Sequence, residues 1–266
     1  MQTATSPFNL IEQLSLKNKR ALVCGASQGI GEATARLLAQ MGAQVCLLAR
    51  RSEPLEIIRQ SLPGSGHQVL AVDLSQSLEI EKNLKSFLPF HIVINNAGGP
   101  KGGNLLDASA EEFQIALQTH LFAAQKIAQL TVPAMKTAGY GRFINVISTS
   151  VKAPIPQLGV SNTVRGAMAN WAKTLASELG PFGITVNNVL PGFTKTGRLD
   201  SLRKSTAEKN KISEDQVESQ WKAAIPAQRF AEASEVAAAI AFLASPAASY
   251  ISGINLPVDG GRTQSL

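Results

Sequence analysis

Short, uniformly apolar runs alternate along this chain with longer segments in which apolar residues recur every three or four positions. The runs Ala21–Cys24 and Ile92–Ile94 are apolar throughout, which is typical of parallel strands covered on both faces. Parallel strands need long crossover connections, usually helices. The alternation therefore predicts an α/β fold, a doubly wound parallel sheet with helices on both faces.

The period of the apolar pattern also places each element on the chain. The predicted strands are Arg20–Cys24, Gln44–Leu48, Gln68–Val72, His91–Asn95, Arg142–Ile147, Thr185–Val189 and Ile254–Val258. The predicted helices are Ile30–Met41, Glu53–Leu62, Leu78–Phe87, Ala110–Thr137, Leu158–Leu179 and Ala233–Leu243. We find no internal repeat, low-complexity tract or interdomain linker, so the pattern predicts one domain over residues 1–266.

One connection is too long for an ordinary turn. Between Pro191 and Pro226 there are few strand signals, and Ser201–Trp221 is polar and helix-prone. Long excursions of this kind within a domain are usually lids or binding loops. This one leaves the carboxyl end of a predicted strand, where such sheets bind ligands. Residues 192–226 are therefore predicted to form a substrate lid.

Composition indicates an ordinary globular protein, since 44% of the 266 residues are hydrophobic and 17% are charged. The only two cysteines, Cys24 and Cys46, fall in adjacent apolar strands, which favours reduced core thiols over a disulfide. Residues Met1–Arg20 do not resemble a signal peptide. No apolar run approaches the ~20 residues that span a bilayer. We therefore expect a cytoplasmic protein with no membrane contact.

The net charge of +6 raises the question of an acidic partner. Nucleic-acid binding calls for lysines and arginines clustered on one element. The densest basic stretch, Arg198–Lys211, is interrupted by acids, which is typical of a solvated face. The alternative is contact with an acidic partner such as a phosphate-bearing carrier. We predict neither a nucleic-acid partner nor a metal site.

A glycine-rich turn joins the first strand to the first helix. Gly25 permits a tight turn, Gly29 lets the backbone approach a pyrophosphate, and Gly31 allows the helix to pack closely on the strand. The helix N-terminus adds unpaired N–H groups and the positive end of its dipole. The position of the turn, between a strand and a helix, predicts a dinucleotide site. Its predicted contact residues are Gly25, Ser27, Gln28, Gly29, Ile30 and Gly31.

The end of the second strand indicates which dinucleotide binds. An acid there would bond the ribose 2′-hydroxyl of NAD, whereas a basic residue accommodates the 2′-phosphate of NADP. The strand is followed by Arg50 and Arg51, and the first acid is Glu53. Either arginine can pair with a phosphate through charge-assisted bonds. We predict NADP(H) as the cofactor, with NAD(H) as the alternative.

Six motifs occur in one order along the chain. They are Gly25-x-x-x-Gly29-x-Gly31, Asp73-Leu74, Asn95-Asn96-Ala97-Gly98, Ser148, Pro191-Gly192 and Val258-Asp259-Gly260-Gly261. In this set the chain resembles the short-chain dehydrogenase/reductase superfamily, and most of all its β-ketoacyl-[acyl carrier protein] reductase branch. The motifs cover nearly the whole chain. The resemblance implies a Rossmann fold, an oxidoreductase of fatty acid metabolism, and a homo-tetramer or dimer.

The resemblance also implies roles for individual positions. Ser148 falls at the end of the fifth predicted strand, where the family places the serine that polarises the substrate. The remaining positions would hold the cofactor. Asp73 and Leu74 would lie at the adenine, Asn96, Ala97 and Gly98 along the central cleft, and Pro191, Gly192 and Thr196 at the nicotinamide end.

The chain departs from the family at the catalytic helix. The family places a tyrosine there and a lysine four residues later, on the same helix face. This chain has Ser161 and Arg165 at those positions, and His120 in place of the family's helix asparagine. A phenol can be brought near neutral pH by an adjacent cation. A serine hydroxyl is a far weaker acid, so Ser161 would be a poor proton donor.

Other groups are candidates for the missing acid. Lys152 follows Ser148 by one short loop, and His120 can titrate near neutral pH. A solvated Lys152, a His120 satisfied by backbone or water, and an ordered water as donor remain the alternatives. Arg165 stays protonated and could bond the nicotinamide ribose or the substrate carbonyl. The only tyrosines, Tyr140 and Tyr250, lie outside the motifs.

Two functions fit these observations. The first is an NADP(H)-dependent oxidoreductase acting on a carbonyl/alcohol pair, with a small molecule or a β-ketoacyl thioester as substrate. The second is a catalytically impaired nucleotide-binding homologue that acts as a sensor or partner subunit, since fold alone does not settle function. We favour the enzyme because Ser148 and the predicted lid are retained.

Overall fold

A computed structural model describes residues 9–265, and its centre is a sheet of seven parallel strands. The strands are β1 (Arg20–Cys24), β2 (Gln44–Ala49), β3 (Gln68–Ala71), β4 (Ile92–Asn95), β5 (Gly141–Val146), β6 (Ile184–Pro191) and β7 (Asn255–Val258). Their order in the sheet is β3-β2-β1-β4-β5-β6-β7. The order reverses direction between β1 and β4, and such a switch point opens a crevice beyond the carboxyl ends of the strands.

Helices cover both faces of the sheet. They are α1 (Leu10–Leu14), α2 (Gly29–Gln40), α3 (Ser52–Ser61), α4 (Ser77–Leu84), α5 (Ala110–Leu117), α6 (Ala123–Ala138), α7 (Gly159–Leu179), α8 (Gly197–Asn210), α9 (Glu214–Ala223) and α10 (Ala233–Ala244). One face packs against α2, α3 and α10, and the other packs against α4, α6 and α7. The predicted doubly wound fold is confirmed.

Strand β1 shows why its sequence is apolar throughout. Ala21 and Val23 are buried in the core on the α2 side, whereas Leu22 and Cys24 are buried in the core on the α6 side. Successive strand residues point to opposite faces, so both faces of β1 meet an apolar core. Cys24 and Cys46 are free and buried, as predicted. Burial raises the pKa of both thiols to about 12, so they stay protonated.

One predicted helix contains a π-helical turn that the sequence did not predict. Residues Ala110–Thr137 form α5 and α6 with a π-helical turn, Gln118–Phe122, between them. In this turn the N–H of Ala123 bonds the carbonyl of Gln118, five residues back. The apolar period carries no signal for one extra residue in a turn, and π turns are often found at functional sites. The other predicted bounds agree to within one or two residues, except that α4 ends early in a short 3₁₀ turn.

The described part of the chain can be searched for membrane-spanning helices and metal sites. Across residues 9–265 no helix combines the length and the apolar character that a membrane crossing requires. Within the same range, no three histidine, cysteine or acidic side chains come together as a metal site. The prediction about a signal peptide concerns Met1–Arg20, of which residues 1–8 lie outside the described range.

A ladder of hydrogen-bonded asparagines connects strands β4, β5, β6 and β7. Asn95, Asn145, Asn188 and Asn255 are register partners on β4, β5, β6 and β7. Each side-chain amide donates to the next residue's Oδ1 at 2.8 Å. Buried polar groups are tolerated only when they are bonded, so the ladder fixes these strands in one register.

We expect Asn145→Ala to destabilise the protein strongly. The change leaves the amide of Asn95 and the Oδ1 of Asn188 without partners, which should lower the free energy of unfolding by about 2–5 kcal/mol. Urea unfolding measures it. Asn255→Ala, at the half-buried end of the ladder, is the control and should cost less. Equal losses in the two variants would contradict a cooperative ladder.

Candidate cofactor and substrate site

A cleft of about 920 Å³ lies beyond the carboxyl ends of the strands. Its walls include the turn after β1 at Gly25, the segment after β4 at Asn96 and the end of β6 at Pro191. It therefore occupies the crevice at the switch point between β1 and β4. This is the place where the sequence predicts the dinucleotide.

The turn after β1 is built on contacts that exclude side chains. A Cβ on Gly25 would lie 2.6 Å from the carbonyl oxygen of Asn96, and Gly25 has a positive φ of 60°. A Cβ on Gly31 would lie 2.1 Å from the carbonyl oxygen of Gly25. The amide of Asn96 donates to the carbonyls of Cys24 and Gly25 at 3.3 Å. Glycine is therefore required at both positions.

The opening of α2 fits a diphosphate. Its N-cap, Gln28, makes no side-chain capping bond, so the first N–H groups of the helix remain available to an anion. Gly29 has a positive φ of 59° and lies against the methyl group of Thr196, which a Cβ would approach to 3.0 Å. The opening of α2 therefore presents backbone atoms, rather than side chains, at the floor of the cleft.

The adenosine end of the cleft fits a phosphorylated ribose. Arg50 and Arg51 follow β2 directly, are exposed and line the cleft. Glu53, the first acid after them, is absent from the cleft wall within the described residues. Asp73 lines the same end, and its carboxylate accepts bonds from the backbone N–H and hydroxyl of Ser75 at 2.9 Å. The 2′-position thus has two cations available, and the Asp73 carboxylate at this end is already bonded to Ser75.

Nearly all the positions predicted to bind the cofactor line this one cleft. Gly31 is the exception, and it packs behind the turn against Gly25. The lining members of the predicted set are Gly25, Ser27, Gln28, Gly29, Ile30, Arg50, Arg51, Asp73, Leu74, Asn96, Ala97, Gly98, Pro191, Gly192 and Thr196.

Four of the five candidate catalytic residues also line the cleft. Ser148 follows β5 by one residue, and its Oγ accepts the N–H of Ser150 at 3.0 Å. Ser161 and Arg165 lie one turn apart on α7 and so share a face. His120 reaches the cleft from the π-helical turn. The fold therefore brings together residues from β5, α7 and the α5–α6 junction.

Arg165 is a buried cation at the inner end of the cleft. It is 6% exposed, and its Nη1 donates to the carbonyl of Val146 at 3.0 Å. Within residues 9–265 no carboxylate forms an ion pair with it. Burial, and then the charge of Arg198, lower its pKa to about 10. Arg165 therefore remains protonated at neutral pH.

His120 is held in its neutral form. Its ring is buried, next to the charge of Arg165, and bonds the backbone of Gly98. Burial first, and Arg165 second, lower its pKa to about 2, against the opposing effect of the Gly98 bond. A ring with this pKa carries no extra proton near pH 7. His120 can orient groups in the cleft, but it does not supply the imidazolium that the sequence suggested.

The other candidate donors are placed elsewhere. Lys152 caps the short 3₁₀ turn after Ser148, half-buried, and is not among the described residues that line the cleft. Tyr140 lies at the amino end of β5, where its hydroxyl donates to the carbonyl of Ala244 at 2.7 Å. Tyr250 is fully exposed. Neither tyrosine of the chain lines the cleft.

The predicted lid region forms two helices, α8 and α9, and most of its charges face outward. Arg203 pairs with Asp200, Glu214 and Glu218, which agrees with the solvated face that the sequence indicates. Arg198 differs, because it lines the cleft and donates to the carbonyl of Pro100 at 2.8 Å. Sequence reasoning missed Arg198 as a site residue, although it lay in the basic stretch already noted.

The charge state of His120 can be measured directly. We expect its ring proton resonances to show no titration between about pH 5 and pH 8, where an unperturbed histidine changes charge. Two-dimensional NMR of the folded protein would follow the ring, with the resonance assigned from its loss in His120→Gln. A histidine peptide in the same tube is the control. A midpoint near 6.5 for His120 would contradict the buried, neutral ring.

Comparison with known proteins agrees with this geometry. A family model described as enoyl-(acyl carrier protein) reductase matches residues 25–263. The 3-oxoacyl-[acyl-carrier-protein] reductase FabG of Vibrio cholerae is 33% identical over 254 residues, which cover 93% of this chain and 98% of that protein. The NADPH-dependent reductase BacG of Bacillus subtilis is 30% identical, over 94% of this chain and 100% of that protein. The solved L-sorbose reductase of Gluconobacter frateurii, complexed with NADPH and L-sorbose, has a TM-score of 0.88 at 30% identity and covers 96% of this chain and 100% of its own. The chain therefore belongs to the short-chain dehydrogenase/reductase superfamily.

Proposed function

We propose that this protein is a cytoplasmic, NADP(H)-dependent oxidoreductase that interconverts a carbonyl and an alcohol, as 3-oxoacyl-[acyl carrier protein] reductases do. The observation that carries the proposal is the single cleft that joins the glycine turn to Ser148 and Arg165. One end fits a dinucleotide, and the other presents a hydroxyl and a fixed cation to a substrate. These are the two parts that a hydride transfer to a carbonyl requires.

NADP(H) is the cofactor that this site fits. The diphosphate would lie on the N–H groups that open α2, and the 2′-phosphate would lie beside Arg50 and Arg51. The L-sorbose reductase structure contains NADPH, and the Bacillus subtilis relative is named as an NADPH-dependent reductase. When bound, the nicotinamide supplies or accepts the hydride.

Ser148 would polarise the carbonyl. Its Oγ accepts the N–H of Ser150 at 3.0 Å, so its lone pair is engaged and its own proton can be donated into the cleft. Arg165 would add a positive charge that stays in place throughout turnover, because burial does not bring its pKa below about 10. A preorganised donor and a fixed cation stabilise the negative charge that develops on the substrate oxygen.

The proton that completes the alcohol would come from water. His120 is neutral, and Lys152 lies outside the described cleft wall. Ser161 lines the cleft, but a serine hydroxyl is a weak acid. Ser161 can instead hold a water against the substrate oxygen as donor and acceptor. Positioning and oxyanion stabilisation then supply most of the rate.

The arginines at the end of β2 should set the preference for NADPH. We expect the double substitution Arg50→Ala/Arg51→Ala to raise the Kd for NADPH by roughly 10- to 100-fold, since charge-assisted bonds to the 2′-phosphate are lost. The Kd for NADH should change little. Calorimetry measures both.

Arg59→Ala is the matched control for this test, because Arg59 lies on the adjoining helix α3 and pairs with Glu56. It should leave the Kd for both dinucleotides unchanged. If the double variant lost affinity for NADPH and NADH to the same extent, the arginines would not recognise the 2′-phosphate.

Turnover tests the proposed function itself. We expect the protein to oxidise NADPH when one class of acceptor among β-ketoacyl thioesters, ketones and quinones is supplied. The loss of NADPH absorbance measures this oxidation. Ser148→Ala should lower kcat/KM by roughly 100-fold through loss of an oxyanion donor. Thr163→Ala, on the exposed side of α7, is the control. Tight NADPH binding without oxidation of any of these compounds would instead favour the sensor or partner-subunit function.

A further inference from the structure

Two arginines from different helices converge on one point in the cleft. Arg165 lies on α7, and Arg198 lies in the first turn of α8. The Cβ position of Gly99 is 4.0 Å from Nη2 of Arg165 and 3.7 Å from Nη2 of Arg198. Both guanidinium groups thus border the space above Gly99, which the missing side chain leaves open.

No acid within the described residues neutralises this pair. Among residues 9–265, the carboxylates on the cleft wall are those of Asp73 and Glu112. Asp73 accepts bonds from Ser75, and Glu112 accepts the N–H of Ser109 at 2.9 Å in a capping box. Both carboxylates are therefore already bonded within their own turns.

A third cation, Lys101, two residues after Gly99, also lines the cleft. Burying an arginine without a partner is costly, and a second like charge nearby adds to the cost. The pKa of Arg165 records both effects, since burial and Arg198 lower it. An anion in the space between these cations would offset both the burial cost and the repulsion.

The anion is not supplied by the cofactor, because each cofactor phosphate has its own donors. The diphosphate fits the N-terminus of α2, and the 2′-phosphate fits Arg50 and Arg51. The pair above Gly99 borders instead on Ser161 and His120, which line the catalytic end of the cleft.

We propose that the substrate of this oxidoreductase carries an oxoanion, a carboxylate or a phosphate, which Arg165 and Arg198 bind above Gly99. This inference rests on the proposed function and adds the substrate class. Arginine forks match the oxygens of either group through paired bonds. Arg165 uses Nη1 on Val146 and Arg198 uses Nη2 on Pro100, so each guanidinium keeps further N–H groups for the ligand. A small anionic ketone fits this arrangement better than a thioester that is uncharged near its carbonyl.

Binding to the protein saturated with NADP⁺ tests the proposal without turnover. The carboxylate probes are pyruvate, acetoacetate and levulinate, each compared with its methyl ester. The phosphate probe is dihydroxyacetone phosphate, compared with dihydroxyacetone. We expect calorimetry to show that at least one anion binds roughly 10-fold or more tightly than its neutral counterpart. The carboxylate and phosphate arms distinguish the two sources of the oxoanion.

Substitution of Arg198 locates the anion. Arg198 is exposed, so its loss should not disturb the core. We expect Arg198→Ala to raise the Kd of the preferred anion by roughly 10- to 100-fold and to leave its neutral counterpart unchanged. Arg198→Lys should recover part of the affinity, since it keeps the charge without the fork. Lys204→Ala, on the exposed surface of α8, is the matched control.

Two results would overturn the proposal. One is equal binding of every anion and its neutral counterpart, including the case in which none binds. The other is an Arg198→Ala variant that weakens NADP⁺ rather than the anion. The proposed function fails differently, through the lack of NADPH oxidation with any carbonyl compound, charged or neutral. The two failures are therefore separable.

Discussion

The close approach of two backbones, at the turn after β1 and at the end of β4, is the constraint on which the site depends. There is no room for a Cβ between Gly25 and Asn96, or between Gly31 and Gly25. The Asn96 amide bonds the same turn. This contact positions the N-terminus of α2 at the switch-point crevice. The unpaired N–H groups of the helix can bind an anion there. The asparagine ladder extends the constraint, since it fixes strands β4 to β7 in register with one another.

The two ends of the cleft differ in the burial of their cations. At the cofactor end, Arg50 and Arg51 line the cleft and are exposed to solvent. At the end that holds Ser148, burial first and the charge of Arg165 second lower the pKa of His120, so its ring stays neutral. Arg165 itself keeps its positive charge, because its own pKa stays near 10. A lysine in that position could titrate, but an arginine does not.

Features of this protein could be predicted from sequence where the residues that determine them lie close together along the chain. Burial on both faces gives β1 and β4 their apolar runs, and the segment around Gly25–Gly31 contains the strand end, the glycines and the helix start together. The pairing of Arg198 with Arg165 had no such local signal, because the two residues meet only through the packing of α7 and α8 around Gly99. The π-helical turn at His120 was missed for a related reason: one extra residue does not change the apolar period that predicts a helix.

Ser161 and Arg165 stand where the family resemblance implies a tyrosine and a lysine, and this difference would change which step the proposed enzyme can assist. A phenol beside a lysine can both stabilise an oxyanion and protonate it, whereas a guanidinium stabilises the oxyanion and keeps its proton. Under the proposed function, Ser148 and Arg165 on the cleft wall would stabilise charge, and water would deliver the proton. Such a site would favour substrates that carry a charge it can bind. An oxoanion held by Arg165 and Arg198 would fix the carbonyl in place, and that positioning offsets part of what is lost with a dedicated acid.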